Sequence, residues 1–472
     1  LLYNQKIYRN KIDNLVNSLP YKQQGIAARA TYSWNDRYFL EANVGYNGSE
    51  NFSPEKRFGF FPAFGIGWAI SNEEFWESFQ KYVSYFKIRY TDGLVGTDAV
   101  ANRRFMYLGQ MSGQDGYRFG ENNSAVGGWG FSKYGVNIGW STSRKQDLGV
   151  DLKFLKDALS ITVDLFKEHR TDIFLQRATI PDYSGFIDMP YGNLGVVDNK
   201  GFETTLEYTQ QLGKKVALTV RGNFAWNEDE IIENDDPAVR YPWMQKRGTN
   251  VNARWGYVAE GLFTSEDEIL DHARQFGEEY PGQVSKVGDI KYKDINGDGV
   301  IDSYDECCIG QGDVPKMYYG FGADLQVGDF SIGAIFSGTA KADRCLSGLA
   351  INPFSDTSGI CNLYDNITDR WSADNPTNQD VFYPRLHFGQ TANENNLKTS
   401  TWWQKDVSFL RLKQLTIAYN FPKKLINKTF LKNARVYVMG TNLLTFSKFK
   451  LWDPELNTNN GTSYPNSRTC SI

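Results

Sequence analysis

Residues 216–226 read VALTVRGNFAW. Val216, Leu218, Val220, Phe224 and Trp226, with Gly222 among them, fall on one side of an extended chain. Ala217, Thr219, Arg221, Asn223 and Ala225 fall on the other, because successive side chains of a strand point to opposite faces. The same period of two returns along the chain. Leu159, Ile161, Val163 and Leu165 oppose Ser160, Thr162 and Asp164. Tyr38, Leu40, Ala42, Val44 and Tyr46 oppose Glu41 and Asn43, and Leu415, Ile417, Tyr419 and Phe421 oppose Gln414, Thr416 and Asn420. About a dozen such segments argue for an all-β protein.

Strands that are apolar on one side and polar on the other suit two settings. One is a sandwich with a dry interior; the other is a membrane barrel with lipid outside and a wet lumen inside. Three features favour the membrane. The segments run 9 to 15 residues, enough for a tilted path through a bilayer. Aromatic residues gather near strand ends, as at Tyr32–Trp34, Phe224–Trp226 and Phe446–Phe449, where an interfacial girdle needs them. Short turns, such as Asn35–Asp36 and Val327–Gly328–Asp329, alternate with long excursions at 97–140, 170–195, 228–252, 263–313 and 341–404. A compact soluble domain rarely carries five such loops; a barrel with tight periplasmic turns and long outer loops does.

Composition agrees. The chain has 472 residues, with 27 Tyr, 31 Phe, 12 Trp and 44 Gly, which favours strands and turns over helices. A net charge of −4 with no basic stripe gives no footprint for nucleic acid. No apolar run reaches transmembrane-helix length. Cys307, Cys308, Cys345, Cys361 and Cys470 match no zinc spacing and read as free thiols. The first residues, LLYNQKIYRNKID, hold no signal peptide. An exported protein needs one, so an N-terminal portion is expected beyond this sequence.

Several stretches resemble the C-terminal half of the SusC/RagA family of TonB-dependent outer-membrane transporters. They include RYFLEANVGYNGSENFSPEKRFGFFPAFGIGWAISN at 37–72, SYFKIRYTDGLVGTD at 84–98 and GVVDNKGFETTLEY at 195–208. Others are GDIKYKDINGDGVID at 288–302, DVSFLRLKQLTIAYNF at 406–421 and RVYVMGTNLLTFSKFKLWDP at 435–454. The resemblance runs in order along nearly the whole chain. It implies that 1–472 is the C-terminal portion of a large antiparallel transmembrane β-barrel with long extracellular loops, from a barrel of 22 strands. The plug and first strands would lie outside this sequence. It further implies a place in the bacterial outer membrane, active uptake of oligosaccharides or peptides, a SusD-like surface lipoprotein as partner, and energy from a TonB–ExbB–ExbD complex acting through the missing N-terminal region. No chemical step belongs to such a protein. The rival readings are a secreted all-β carbohydrate-active enzyme or lectin, and an adhesin or passive porin.

Two sets of residues are candidates for binding. Asp294, Asn296, Asp298, Asp302 and Asp305 occupy positions 1, 3, 5, 9 and 12 of a calcium-type loop. Gly299 makes the sharp turn and Val300 offers a carbonyl at position 7. Asp in place of Glu at position 12 reaches less far, and the flanks are not the helices of an EF-hand. The alternative is a solvated Asn/Asp/Gly turn with no ion. Trp129, Trp243, Trp371, Trp402 and Trp403 lie in or beside the long excursions; each can stack on a sugar ring or sit in the membrane-interface belt. Ser265 with Glu268 forms a capping box, and Ile269, Leu270, Ala273 and Phe276 follow at helical spacing, which predicts a short helix over 264–276. His169, His272 and His387 are scattered and give no catalytic grouping. The acids Glu228, Asp229, Glu230, Asp235 and Asp236 read as a solvated run rather than a glycosidase pair.

Overall fold

A computed structural model describes residues 1–11, 18–100, 104–186, 188–276, 284–348, 350–354, 363–386, 394–427 and 430–472. The chain forms two units. The first comprises Leu1–Leu206, Asn227–Ala238 and Lys246–Gly248, and the second comprises Glu207–Trp226, Val239–Gln245 and Thr249–Ile472.

In the first unit the strands Leu2–Tyr8, Tyr21–Trp34, Tyr38–Ser49, Phe58–Ala69, Val83–Thr97, Ser141–Phe154 and Leu159–Gln176 lie side by side in chain order. Every neighbouring pair is antiparallel. In the second unit Val216–Trp226 pairs with Met317–Val327. Phe330–Ala340, Phe409–Asn420, Arg435–Ser447 and Thr469–Ser471 follow in order, again antiparallel. Fourteen strands share this one sheet, slightly more than the dozen expected. The extra count includes Leu2–Tyr8 and the three-residue Thr469–Ser471, too short for their pattern to show.

The apolar sides do not meet one another. Tyr38, Leu40, Val44 and Tyr46 are 41%, 53%, 38% and 45% exposed, while Glu41 and Asn43 between them are partly covered. Across the strand boundary Phe60, Phe64 and Ile66 are equally open, as are Phe330, Ile332 and Ile417 in the second unit. Contiguous apolar surface of this extent is not stable against water. It fits acyl chains, and it excludes the sandwich, whose apolar faces would be buried. Trp34, Tyr38 and Trp68 form a stacked ladder at 5.8 Å and 6.2 Å across three strands, as an interfacial girdle requires. Phe446 is exposed in the same manner, but Phe449 is buried among loop residues and is no part of a girdle.

The first tight turn explains its own sequence. Asn35 and Asp36 both take φ near +50°, and Arg37 N–H closes onto the Trp34 carbonyl at 3.0 Å. Two left-handed residues in succession match the twist of a two-residue hairpin, and Asn and Asp tolerate that region best after Gly. Asp36→Val will cost about 1–3 kcal/mol, and Asp36→Gly will be neutral or stabilising. Denaturant titration of the vesicle-embedded protein checks both.

Two expected loops are shorter than their sequences suggested. The strand Leu159–Gln176 runs past residue 170, and Tyr191–Gly213 begins before 195. Val216–Glu233 continues through Glu228, Asp229 and Glu230, so those acids belong to a strand. The apolar pattern ends before the backbone pairing does, because ladder hydrogen bonds do not depend on side-chain polarity.

Candidate functional site

The polar face of the first unit is built around Arg89. Its Nη1 lies 3.3 Å from Asp147 and its Nε 3.4 Å from Asp151, and Nη2 donates to Asp164. Three strands therefore converge on one guanidinium. Gly149, its cross-strand partner, makes this possible. A Cβ at position 149 would stand 2.3 Å from the guanidinium carbon. Nearby, Arg144 holds the nearly buried Asp92 in a two-bond fork at 3.1 Å and 2.6 Å. A hollow of about 660 Å³ opens on the same face, lined among others by Glu41, Asn43, Lys87, Arg89, Thr91 and Lys145. Gly65, Gly67 and Gly93 line it too. This is a charged, wettable surface backed by a sheet whose other side is apolar.

The second unit carries a dense loop body. Leu262, Ile290, Tyr292, Ile301, Leu346 and Trp403 pack in its core, which draws on the excursions 263–313 and 341–404 and on Phe449 and Trp452. A buried polar clasp holds these two excursions together. Arg385 forks onto Asp289 at 2.9 Å and 3.0 Å, and Asn396 donates to the same carboxylate at 2.9 Å. Gln275, buried, donates to the Ile290 carbonyl and accepts from the Tyr292 N–H. Tyr292 is fully buried, donates to the Asn395 carbonyl at 2.8 Å, and has its phenol pushed far up by that burial. The clasp was not foreseen: its partners lie about a hundred residues apart in sequence.

The expected helix shrinks for the same reason. It spans Glu266–Asp271 only. Ser265 caps it by accepting from Glu268 N–H at 3.2 Å, but the Glu268 carboxylate turns to Thr264 and Lys291 instead of completing the box. Beyond it Arg274 bridges to Val300 and Gln275 enters the clasp, which pulls the chain out of helical geometry. Leu270 is left 82% exposed.

The calcium-type loop is tightly organised by its own backbone. Asp305 is completely buried and accepts N–H bonds from Ile295, Asn296 and Asp302 at 2.8 Å, 3.3 Å and 3.0 Å. Asp294 accepts from Gly297 and Gly299, Asn296 from Asp298, Asp298 from Val300, and Asp302 from Tyr304. Strands Ile290–Tyr292 and Cys307–Gly310 flank it, as the non-helical flanks required. Among the described residues no three His, Cys, Asp or Glu side chains converge as metal ligands. Asp305→Ala would strand three partly buried N–H groups. At about 1–3 kcal/mol for an unsatisfied group, cleavage of 288–310 by protease should accelerate at least tenfold.

The tryptophans divide. Trp403 is 2% exposed and donates to the Asn396 carbonyl. Trp371 and Trp402 pack against the same core and donate to the Pro376 and Phe382 carbonyls. All three serve the packing of the loop body, which needs large side chains at its centre. Trp243 stacks on Tyr241 at 4.7 Å and donates to the Tyr304 carbonyl. Trp129 is 77% exposed, on the hairpin strand Ser124–Lys133. Cys307, Cys308, Cys345 and Cys470 are free thiols. Cys361 and His387 lie outside the described residues. His169 pairs with Asp198 at 2.5 Å in an exposed position, and His272 contacts the Ala273 carbonyl.

A sheet of long antiparallel strands, apolar and open on one side and charged on the other, with loop excursions carrying their own core, defines an outer-membrane β-barrel wall. The family model "TonB dependent receptor-like, beta-barrel" matches residues 3–306, and the chain belongs to that family, a family of transporters rather than enzymes. It is 25% identical over 472 residues to the TonB-dependent receptor P3 of Formosa agariphila, covering 95% of this chain and 44% of that protein. It is 23% identical to the TonB-dependent receptor SusC of Bacteroides thetaiotaomicron, covering 93% of this chain and 42% of that protein. The chain thus spans less than half the length of the curated relatives it matches. Among solved structures, the RagAB peptide transporter superposes with a TM-score of 0.71 at 22% identity, covering 96% of this chain and 47% of that one. The RagAB peptide importer in its "open-open" state gives 0.73 at 21%, covering 96% and 46%. Both share the fold.

Proposed function

We propose that the chain supplies wall and outer loops to an active importer of oligosaccharides or peptides, energised through TonB–ExbB–ExbD and assisted by a SusD-like lipoprotein. The observation that carries this reading is the two-sidedness of the sheet: a lipid-compatible face opposed to a charged face centred on Arg89. A wall of this kind forms a closed hydrogen-bonded path through lipid, and a wet interior admits polar cargo. The large loop body suits capture of cargo and contact with a lid protein better than it suits a passive pore. The names SusC and RagAB agree in kind. The test is uptake of labelled oligosaccharides and of labelled peptides by cells carrying the receptor, with and without TonB. Retained uptake without TonB would remove the active part of the reading. A lipoprotein co-purifying in detergent supports the lid; its absence from mild-detergent preparations counts against it.

Calcium at Asp294, Asn296, Asp298, Val300, Asp302 and Asp305 is a separate, smaller proposal, supported by the ligand register of the sequence. Protection of 288–310 from protease that depends on calcium would bear it out. Identical cleavage in calcium and in chelator would dismiss it, and the turn would then stand on its backbone bonds alone.

A further inference from the structure

The lipid-facing side of the first unit has a cavity of its own, of about 110 Å³, lined among others by Gln5, Lys22, Gln24, Glu50, Arg57 and Phe58. Strand register puts it on that side. Gln5 stands opposite Gln24, Gln24 opposite Gly48, and Gly48 opposite Phe58. The next row, two residues along each strand, is Tyr3, Ile26, Tyr46 and Phe60, all exposed. Side chains two apart on a strand share a face, so both rows point toward lipid. A Cβ at position 48 would stand 2.5 Å from the Phe58 ring, so the glycine leaves room for the ring that floors the cavity.

The height of the cavity on the wall follows from the strand Phe58–Ala69. Trp68, in the stacked ladder at the tight-turn end, and Phe58 are the two ends of its outward row. They lie about 33 Å apart along the strand, which at a tilt of about 40° is about 25 Å of height, the thickness of a barrel's apolar band. Phe58 stacks on Tyr46 at 5.1 Å and closes that band at its outer edge. The cavity lies immediately beyond, at the level of lipid headgroups. Lys22 and Arg57 bring it two positive charges and Glu50 one negative. Glu50 lies 3.6 Å from Lys22, while Arg57, half-buried, makes no ion pair among the described residues. The Arg57 Nε is enclosed by protein, so contact falls to its terminal nitrogens. Farther round the same side, in the rows just beyond Leu148 and Leu165, the charges balance: Arg144 holds Asp92, and Lys167 faces Asp198 at 3.8 Å. Among these groups a cation is left over only at the cavity.

We propose that this cavity seats the phosphate of an outer-leaflet lipid headgroup. Lys22 and the terminal nitrogens of Arg57 meet the phosphate oxygens, the amides of Gln5 and Gln24 donate to the headgroup, and the acyl chains run down over Phe58 and Tyr46 onto the apolar row. The floor and the two glutamines lie on the lipid side, opposite the face around Arg89, which favours a membrane component over cargo. The proposal goes beyond the import reading and does not depend on it.

Native mass spectrometry of the detergent-purified receptor with dioleoyl phosphatidic acid and with dioleoylglycerol tests it, since the two lipids differ by the phosphate alone. The phosphatidic acid is expected to be retained at least about tenfold more strongly, and inorganic phosphate at the same concentration should not displace it. The double variant Lys22→Gln/Arg57→Gln should lose that preference. Arg29→Gln, which removes a charge from the polar side of the strand that carries Lys22, should keep it. Heat-modifiable migration shows that each variant is folded, and the comparison of the two lipids on the parent protein stands without any variant. Equal retention of both lipids, a preference that survives the double variant, or an equal loss in Arg29→Gln overturns the proposal. So does displacement by inorganic phosphate, which would make the cavity a site for free anions. A receptor that treats the two lipids alike can still import cargo, so failure here and failure of the import reading appear in different assays.

Discussion

Arg385→Ala will open the loop body of the second unit. The side chain of Asp289 is 3% exposed and that of Arg385 19%, so the pair is largely sealed from solvent screening. Removing the guanidinium leaves a buried carboxylate facing the Asn396 amide and the Lys286 N–H, which do not neutralise its charge. Breaking a buried pair from one side costs about 3–5 kcal/mol. At 1.4 kcal/mol for each tenfold, amide exchange in 286–296 and 394–403 should speed up by roughly a hundred- to a few-thousand-fold. Arg385→Lys, which keeps charge but loses the fork, should fall between. Exchange that does not change in the alanine variant would show that the apolar core around Tyr292 and Trp403 suffices, and that the clasp adds nothing. The wall strands should keep their protection in either variant, because their pairing does not involve the clasp.

That clasp also marks where the sequence stops being readable. Alternation exposes a strand because each residue carries its own evidence: Leu40 and Glu41 are informative without knowledge of any other segment. The turn at Asn35–Asp36 is local in the same sense. The flanks of the calcium-type loop were local too: GDIKY reads as extended and CCIGQG as not helical, and both carry short strands. Asp289, Asn396 and Arg385 carry no such local mark; they are ordinary polar residues in loops until long-range packing joins them. The same packing shortened the helix over 264–276, since Gln275 gains more from bonding Ile290 and Tyr292 than from another helical turn. It also absorbed Trp371, Trp402 and Trp403 into a core. A tryptophan in a long excursion can serve a loop core as well as a binding platform, and the sequence alone does not show that these loops build a core of their own. On the wall, Arg89 could have been found in advance. It shares strand parity with Lys87 and Thr91, and Asp147 shares parity with Gly149 and Asp151, so charge of both signs recurs at polar positions on adjacent strands.

The orientation of that wall is open to a direct energetic test. Leu40 lies mid-strand, 53% exposed, opposite Tyr32 on one neighbour and Ile66 on the other. On the surface of a protein in water, Leu40→Arg would change stability by about half a kcal/mol or less. Facing acyl chains, it places a charge where water is absent, at about 2–4 kcal/mol near the bilayer midplane. Adding Ile66→Arg beside it should bring the total near twice that, since two adjacent cations cannot share one snorkelling route to the interface. Thr91→Lys is the matched control. It adds the same charge on the opposite side of the same sheet, near Glu41 and the Arg89 cluster, where the surface is wet. Denaturant unfolding in phospholipid vesicles should therefore separate the leucine and threonine variants by several kcal/mol, and the double arginine variant should lose its heat-modifiable band. If all three unfolded together with the parent, the exposed apolar face would have to be covered by something other than lipid. The charged face, with Arg89 and its three aspartates, would then no longer define a passage.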